Sequence, residues 1–259
     1  MATACVALGL AAGLGGCVST QRKNARAELV ADRTLAGRAP LRLHRPSRAV
    51  RVVRVALVRG ARASAFVVTL RNRGAEPATD VPLAVGVRDA GGPRTEVDGG
   101  GGLGWFRTHV PSIGADANAT WVFTARRPLP AGTPYAVAGA PGGAVVSRAS
   151  GALPALDARV LPPHAPAAAS GPHAHGAHAT GRRNTARGTV TVLLVNRSAI
   201  PQYDVQVYAV ARDGARVLAA GAVSIDHLAS HGQARVRVAL VGDPGRHTVR
   251  ISAPPTIFE

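Results

Sequence analysis

Residues 72–89 read NRGAEPATDVPLAVGVRD, and residues 196–213 read NRSAIPQYDVQVYAVARD. The two stretches align without a gap at an offset of 124 residues and are identical at 8 of 18 positions. Each reads as the end of one strand, a turn, and the start of the next. Asn72 and Asn196 suit the left-handed or Asx-turn geometry that closes a strand. Pro77 and Pro201 are expected outside the ladders, where a missing N–H costs nothing. Asp80 and Asp204 are expected to bond nearby backbone N–H groups as the second strand begins. One strand–turn–strand unit in each half predicts two similar domains in tandem.

Working outward from the repeat, the apolar period is two. The first half offers AVRVVRVALVR (Val53, Val55 and Leu57 against Arg54, Ala56 and Val58) and SAFVVTLRN (Phe66, Val68 and Leu70 on one face). DVPLAVGVRD, LGWFRTHV, ATWVFTAR and PYAVAG follow. The second half offers PALDARVLP, GTVTVLLVN, DVQVYAVARD, RVLAAGAVSI, ARVRVALVG and HTVRISAPP. Val236, Val238 and Leu240 should face a core, with Arg235 and Arg237 in water. Short alternating runs broken by Gly, Pro, Asn and Asp are the pattern of an antiparallel sandwich.

The order of strand, N-x-G/S turn, strand and glycine-led strand runs through Asn72, Gly74, Ile113, Trp121, Gly132 and Val137. It runs again through Asn196, Leu228, Gly232, Val236, Gly245, Val249 and Ile251. Over 45–141 and 188–254 this resembles bacterial immunoglobulin-like modules of the cell-adhesion-related (CARDB) kind. Ser198 stands where that pattern has Gly, and Asp116-Ala117 where it has a glycine before the strand. The whole chain is also similar to secreted or lipoprotein-like proteins of high-GC actinobacteria. The resemblance implies an all-β fold, two tandem immunoglobulin-like antiparallel β-sandwiches behind a signal or anchor segment. It implies a location, not a reaction.

Composition fits. Gly (30) and Pro (19) are abundant and only nine of 259 residues are aromatic, so cores should be thin Val/Leu/Ala layers. The net charge is +17, yet 30 of 31 basic residues are Arg, and they are scattered without a polybasic run. That favours a GC-rich codon bias over nucleic-acid binding. The field would still attract anionic envelope polymers or headgroups weakly.

Residues 2–19 carry no charge, and Leu14-Gly15-Gly16-Cys17 resembles a bacterial lipobox. On that reading Cys17 is the lipidated mature N-terminus and Cys5 is discarded. The absence of a charged residue before the apolar run speaks against it, and an uncleaved anchor or a cytoplasmic chain stay open. Residues 1–17 are then a signal peptide and 18–38 a polar tether. Residues 39–150 and 151–259 are the two domains, with 163–187, PHAPAAASGPHAHGAHATGRRNTAR, as a flexible His-rich insertion in the second.

Three sets of side chains invite a chemical reading. His164, His173, His175 and His178 are imidazoles able to take a transition metal, without a carboxylate to orient them. Trp105, Phe106 and His109 concentrate rings beside the glycine run DGGGGLGW and would suit a sugar or peptide surface, with core packing as the competing role. Ser112 and Asp116 near His109 have hydrolase residue types but no nucleophile-elbow motif. No cofactor motif is present, since the glycine run lacks the following helix that phosphate loops need. The expected protein is therefore a non-catalytic envelope lipoprotein, outside the cytoplasm and held to the membrane by its lipid. It would present its modules to an envelope protein or polymer. The alternative is an extracytoplasmic metal-handling protein using the His-rich loop.

Overall fold

A computed structural model describes residues 43, 45–89, 92, 94–98, 107–141, 153–162 and 188–257. Cys17, Trp105, Phe106 and the stretch 163–187 with its four histidines lie outside the described residues.

The first half contains β1 (Val50–Arg59), β2 (Ser64–Asn72), β3 (Ala78–Arg88), β4 (Arg94–Glu96), β5 (His109–Ile113), β6 (Asn118–Ala125) and β7 (Thr133–Ala138). The second contains β8 (Leu156–Leu161), β9 (Thr189–Asn196), β10 (Gln202–Asp213), β11 (Arg216–Leu228), β12 (Gln233–Ala239), β13 (Val241–Gly242) and β14 (Val249–Ser252). No α-helix occurs among the described residues. All pairings are antiparallel, as the alternation predicts.

The two halves repeat one pairing plan. β1 and β6 flank β2, and β8 and β12 flank β9 in the same way. β3 pairs with β7 as β10 pairs with β14. The backbone bond from Arg73 N–H to the Ala49 carbonyl has its counterpart from Arg197 to Ala155, so β8 stands where β1 stands. The long β11 covers β10 from end to end, whereas β3 meets β5 at one end and β4 at the other. β4 and β5 together therefore meet β3 where the second half has one unbroken strand. The strand-like reading of LGWFRTHV needs correction at its described end: Arg107 and Thr108 form a turn, and the strand begins at His109.

The quoted repeat is built around its asparagines. Each is 1% exposed. Asn72 Oδ1 accepts from Gly74 N–H at 2.9 Å, an Asx turn, while its Nδ2 donates to the carbonyls of Glu76 at 2.7 Å and Gly114 at 3.0 Å. Asn196 does the same with Ser198 N–H at 3.0 Å, Ile200 at 2.8 Å and Ala229 at 3.0 Å. Each amide thus pins the β2–β3 type of turn to a second turn from the neighbouring sheet. The left-handed backbone falls not on the asparagines but on Asp80 and Asp204, at φ 47° and 49°. Asp tolerates that region better than most residues, which explains the repeated Asp.

Alternation places Phe66, Val68 and Leu70 in the first core together with Trp121 and Phe123, all under 5% exposed. It does not anticipate that Ala65, Val67 and Val122 on the reverse face are equally buried. They belong to one apolar cluster with Tyr208, Val210, Ala220 and Val241 of the second half. β2 is thus covered on both faces, and the near-continuous run AFVV is the expected pattern for such a strand. The opposite face of β10, with Val205, Val207 and Ala209, packs on Val192, Leu194 and Val238 in the second core. The two sandwiches are welded through apolar surface. Val53 is the exception to the first alternation: a bulge between Val52 and Arg54 turns it out to 62% exposure.

A second seam runs along the C-terminal segment. Ser112 Oγ of β5 donates to the Pro255 carbonyl at 2.7 Å, and Thr256 N–H donates to Gln202 Oε1 at 2.9 Å. At the apolar seam itself, Tyr208 is 1% exposed and its hydroxyl has no hydrogen-bond partner. Tyr208→Phe keeps the ring and removes the orphaned group, so it should raise stability by about 1 kcal/mol. Urea unfolding of the two proteins checks this, and a loss of stability would mean that the hydroxyl has a partner in solution.

Candidate groove between the two sandwiches

Where β6 lies over β11, the two sandwiches leave a groove of ≈ 470 Å³. Its apolar lining is Val122, Phe123, Ala222, Val223 and Ala239. Gln206, Ser224 and Thr124 add amide and hydroxyl groups, and Arg107 and Arg126 supply charge.

Alternation settles which side chains face the groove; Phe123 and Val223 point into the first and second cores and only border it. Val122 and Thr124 alternate on β6 with Trp121 and Phe123, so they look away from the first core and towards the second half. On β10 and β11, Gln206 pairs with Ser224 in the same row as Tyr208 with Ala222. The Gln206 amide donates to Ser224 Oγ at 2.9 Å and to the Asp204 carbonyl at 3.2 Å. Arg107, in the turn entering β5, donates to the Thr124 carbonyl at 2.9 Å and stands 5.6 Å from the Phe123 ring centre. Burial pushes its pKa down, and the Arg126 charge adds to this. Neither arginine forms an ion pair with a carboxylate among the described residues. Thr124 Oγ1 is buried and has no hydrogen-bond partner.

The residues singled out in sequence are placed as follows. His109 lies within β5 at 8% exposure, its Nδ1 2.9 Å from Thr108 Oγ1. Ser112 is three residues along the same strand, hence on the opposite face, and donates to the Pro255 carbonyl. Asp116 accepts from Arg71 at 2.6 Å. These three groups are not brought into a triad. Trp105 and Phe106, which precede Arg107, and His164, His173, His175, His178 and Cys17 fall outside the described residues. Among the described residues no group of three His, Cys, Asp or Glu side chains is placed to hold a metal ion, and no helix is long and apolar enough to cross a membrane.

Sequence reading came within one residue of the groove at Arg107 and missed the rest. The available signal was Gln206 and Ser224, two polar residues in otherwise apolar runs. They share a strand face with Tyr208 and Ala222.

No family model matches the chain, and no curated protein matches it. Among solved structures it is similar to the crystal structure of red sea bream transglutaminase, at 11% identity and a TM-score of 0.17. The match covers 81% of this chain and 32% of that one, so the chain spans about a third of that protein's length. A superposition that loose carries no argument about activity, and the chain's β-sandwich architecture rests on its own strand pairing.

Proposed function

We propose that this chain is a non-catalytic binding protein of the cell envelope, two immunoglobulin-like modules (39–150 and 151–259) carried on a lipid anchor at Cys17. The observation that carries the binding half is the lining of the groove. It contains two guanidinium groups, two hydroxyls and an amide, but no carboxylate, imidazole or thiol. Such a set can orient a ligand, yet it offers no group that would exchange a proton near neutral pH. The hydroxyls of Ser224 and Thr124 have no base beside them in that lining to make them nucleophiles.

The anchoring half rests on Leu14-Gly15-Gly16-Cys17 after an uncharged stretch. A diacylglycerol supplies two acyl chains, which hold a protein stably at a bilayer where one chain does not. The two modules would then project from the surface on the tether 18–38. The intact mass of the mature protein from native membranes should correspond to a chain beginning at Cys17 plus acylglyceryl groups. A lipoprotein signal-peptidase inhibitor should retain the leader. An unmodified chain starting at Met1 in the soluble fraction would overturn the anchor.

A further inference from the structure

We infer that the groove binds an organic anion with an apolar body, its acidic head held between Arg107 and Arg126 and its body laid over the apolar lining. The inference rests on reading the chain as a binding module, and it names the ligand class that this module takes.

Charge comes first. Two arginines line one groove with no carboxylate in the lining and no ion pair to either among the described residues. Like charges so placed repel, and an anion between them converts the repulsion into two charge-assisted contacts. The bond to the Thr124 carbonyl occupies one of the five N–H donors of Arg107, which leaves the planar fork free for a carboxylate or phosphate. Stacking near Phe123 and the carbonyl bond hold that guanidinium in place before the ligand arrives. A pre-ordered arginine loses less side-chain entropy on binding than a free one.

The second observation is independent of charge. Thr124 Oγ1 is a buried hydroxyl without a partner, on a residue that lines the groove. A buried polar atom left unbonded is disfavoured, and a ligand oxygen there would satisfy it. The third is the apolar lining. Val122, Ala222 and Ala239, which alternation turns out of the two cores, offer nothing to a hydrated inorganic ion but bury hydrocarbon favourably. The size lies within the range of small-molecule sites, and the position between two modules is where such sites often occur. A carboxylate-headed or phosphate-headed molecule fits this chemistry equally.

The test is calorimetric titration of the full chain with decanoate and decyl phosphate below their micelle-forming concentrations. Decanol serves as the body without charge, and inorganic phosphate as charge without the body. Saturable 1:1 binding of either decyl anion, at least tenfold tighter than of decanol or inorganic phosphate, is the expected result. The tighter of the two anions identifies the head group. Arg107→Gln can still donate to the Thr124 carbonyl, and with Arg126→Gln it should weaken anion binding by a hundredfold or more while leaving the melting temperature close to wild type. Thr124→Val, which keeps the shape and removes the hydroxyl, should weaken it several-fold without loss of stability. Equal binding of decanol, equal binding of inorganic phosphate, or unchanged affinity in the folded double-arginine variant would each overturn the proposal. None of those outcomes touches the anchored two-module reading, which the mature mass tests separately.

Discussion

Asp98→Asn should raise stability at pH 8 by on the order of 3 kcal/mol and remove most of the pH dependence between about pH 4 and pH 7. Asp98 follows β4 and is fully buried. One carboxylate oxygen accepts from Val85 N–H at 2.8 Å and the other has no partner. Burial pushes its pKa up to about 7, opposed by its backbone hydrogen bonds and assisted by the Glu96 charge. The direction of the effect follows from proton binding. Below about pH 4 the carboxyl is protonated in both states, and folding takes up no proton. Between about 4 and 7 the unfolded chain has released its proton and the native chain has not, so stability falls as pH rises. Above about 7 the loss is complete and constant. Asn keeps the acceptor for Val85 and carries no charge to bury. Urea midpoints should therefore be similar at pH 4.5 and diverge at pH 8, with the variant ahead. A wild-type protein whose stability is flat across that range would show that water reaches the carboxylate.

The sequence states the strands well because each sandwich has one face to declare. In β12, Val236 and Val238 against Arg235 and Arg237 is an alternation that only one orientation satisfies, and the exposed arginines confirm it. β2 is different. Phe66, Val68 and Leu70 point to one core and Ala65 and Val67 to the seam, so its apolar run contains two messages that alternation cannot separate. The seam was therefore invisible, and the groove beside it with it. Gln206 and Ser224 look like ordinary surface positions until β6 is known to lie across them. Asp80 and Asp204 show the same limit on a smaller scale. Their repetition announced a turn, but both residues lie inside strands, β3 and β10, at positions the register against β5 and β11 skips. Local spacing does not record such a skip.

A seam this apolar also bears on how the protein unfolds. Tyr208, Val210 and Ala220 come from one half, Ala65 and Val67 from the other, and all are almost fully buried. Separating the sandwiches would expose them to water, at a cost comparable to opening a core. The halves should then melt together, although each has its own pairing plan.

The repeated asparagines give the means to measure this. Asn72→Ala and Asn196→Ala should each destabilise the protein by about 3 kcal/mol, since each removes three hydrogen bonds made by a side chain that is 1% exposed, at about 1 kcal/mol per bond. In the first half the amide donates to the carbonyls of Glu76 and Gly114, and in the second to those of Ile200 and Ala229. Asp at either position should be no better, because it keeps the acceptor for Gly74 or Ser198 N–H but loses both donors and buries a charge. Both alanine variants should shift a single unfolding transition, followed by circular dichroism in urea, with the slope unchanged. If Asn196→Ala instead splits the curve, leaving the first half to unfold at the wild-type midpoint, the seam does not couple the modules. The groove would then be a flexible cleft rather than a pre-formed site, and the affinities measured for the decyl anions should fall accordingly.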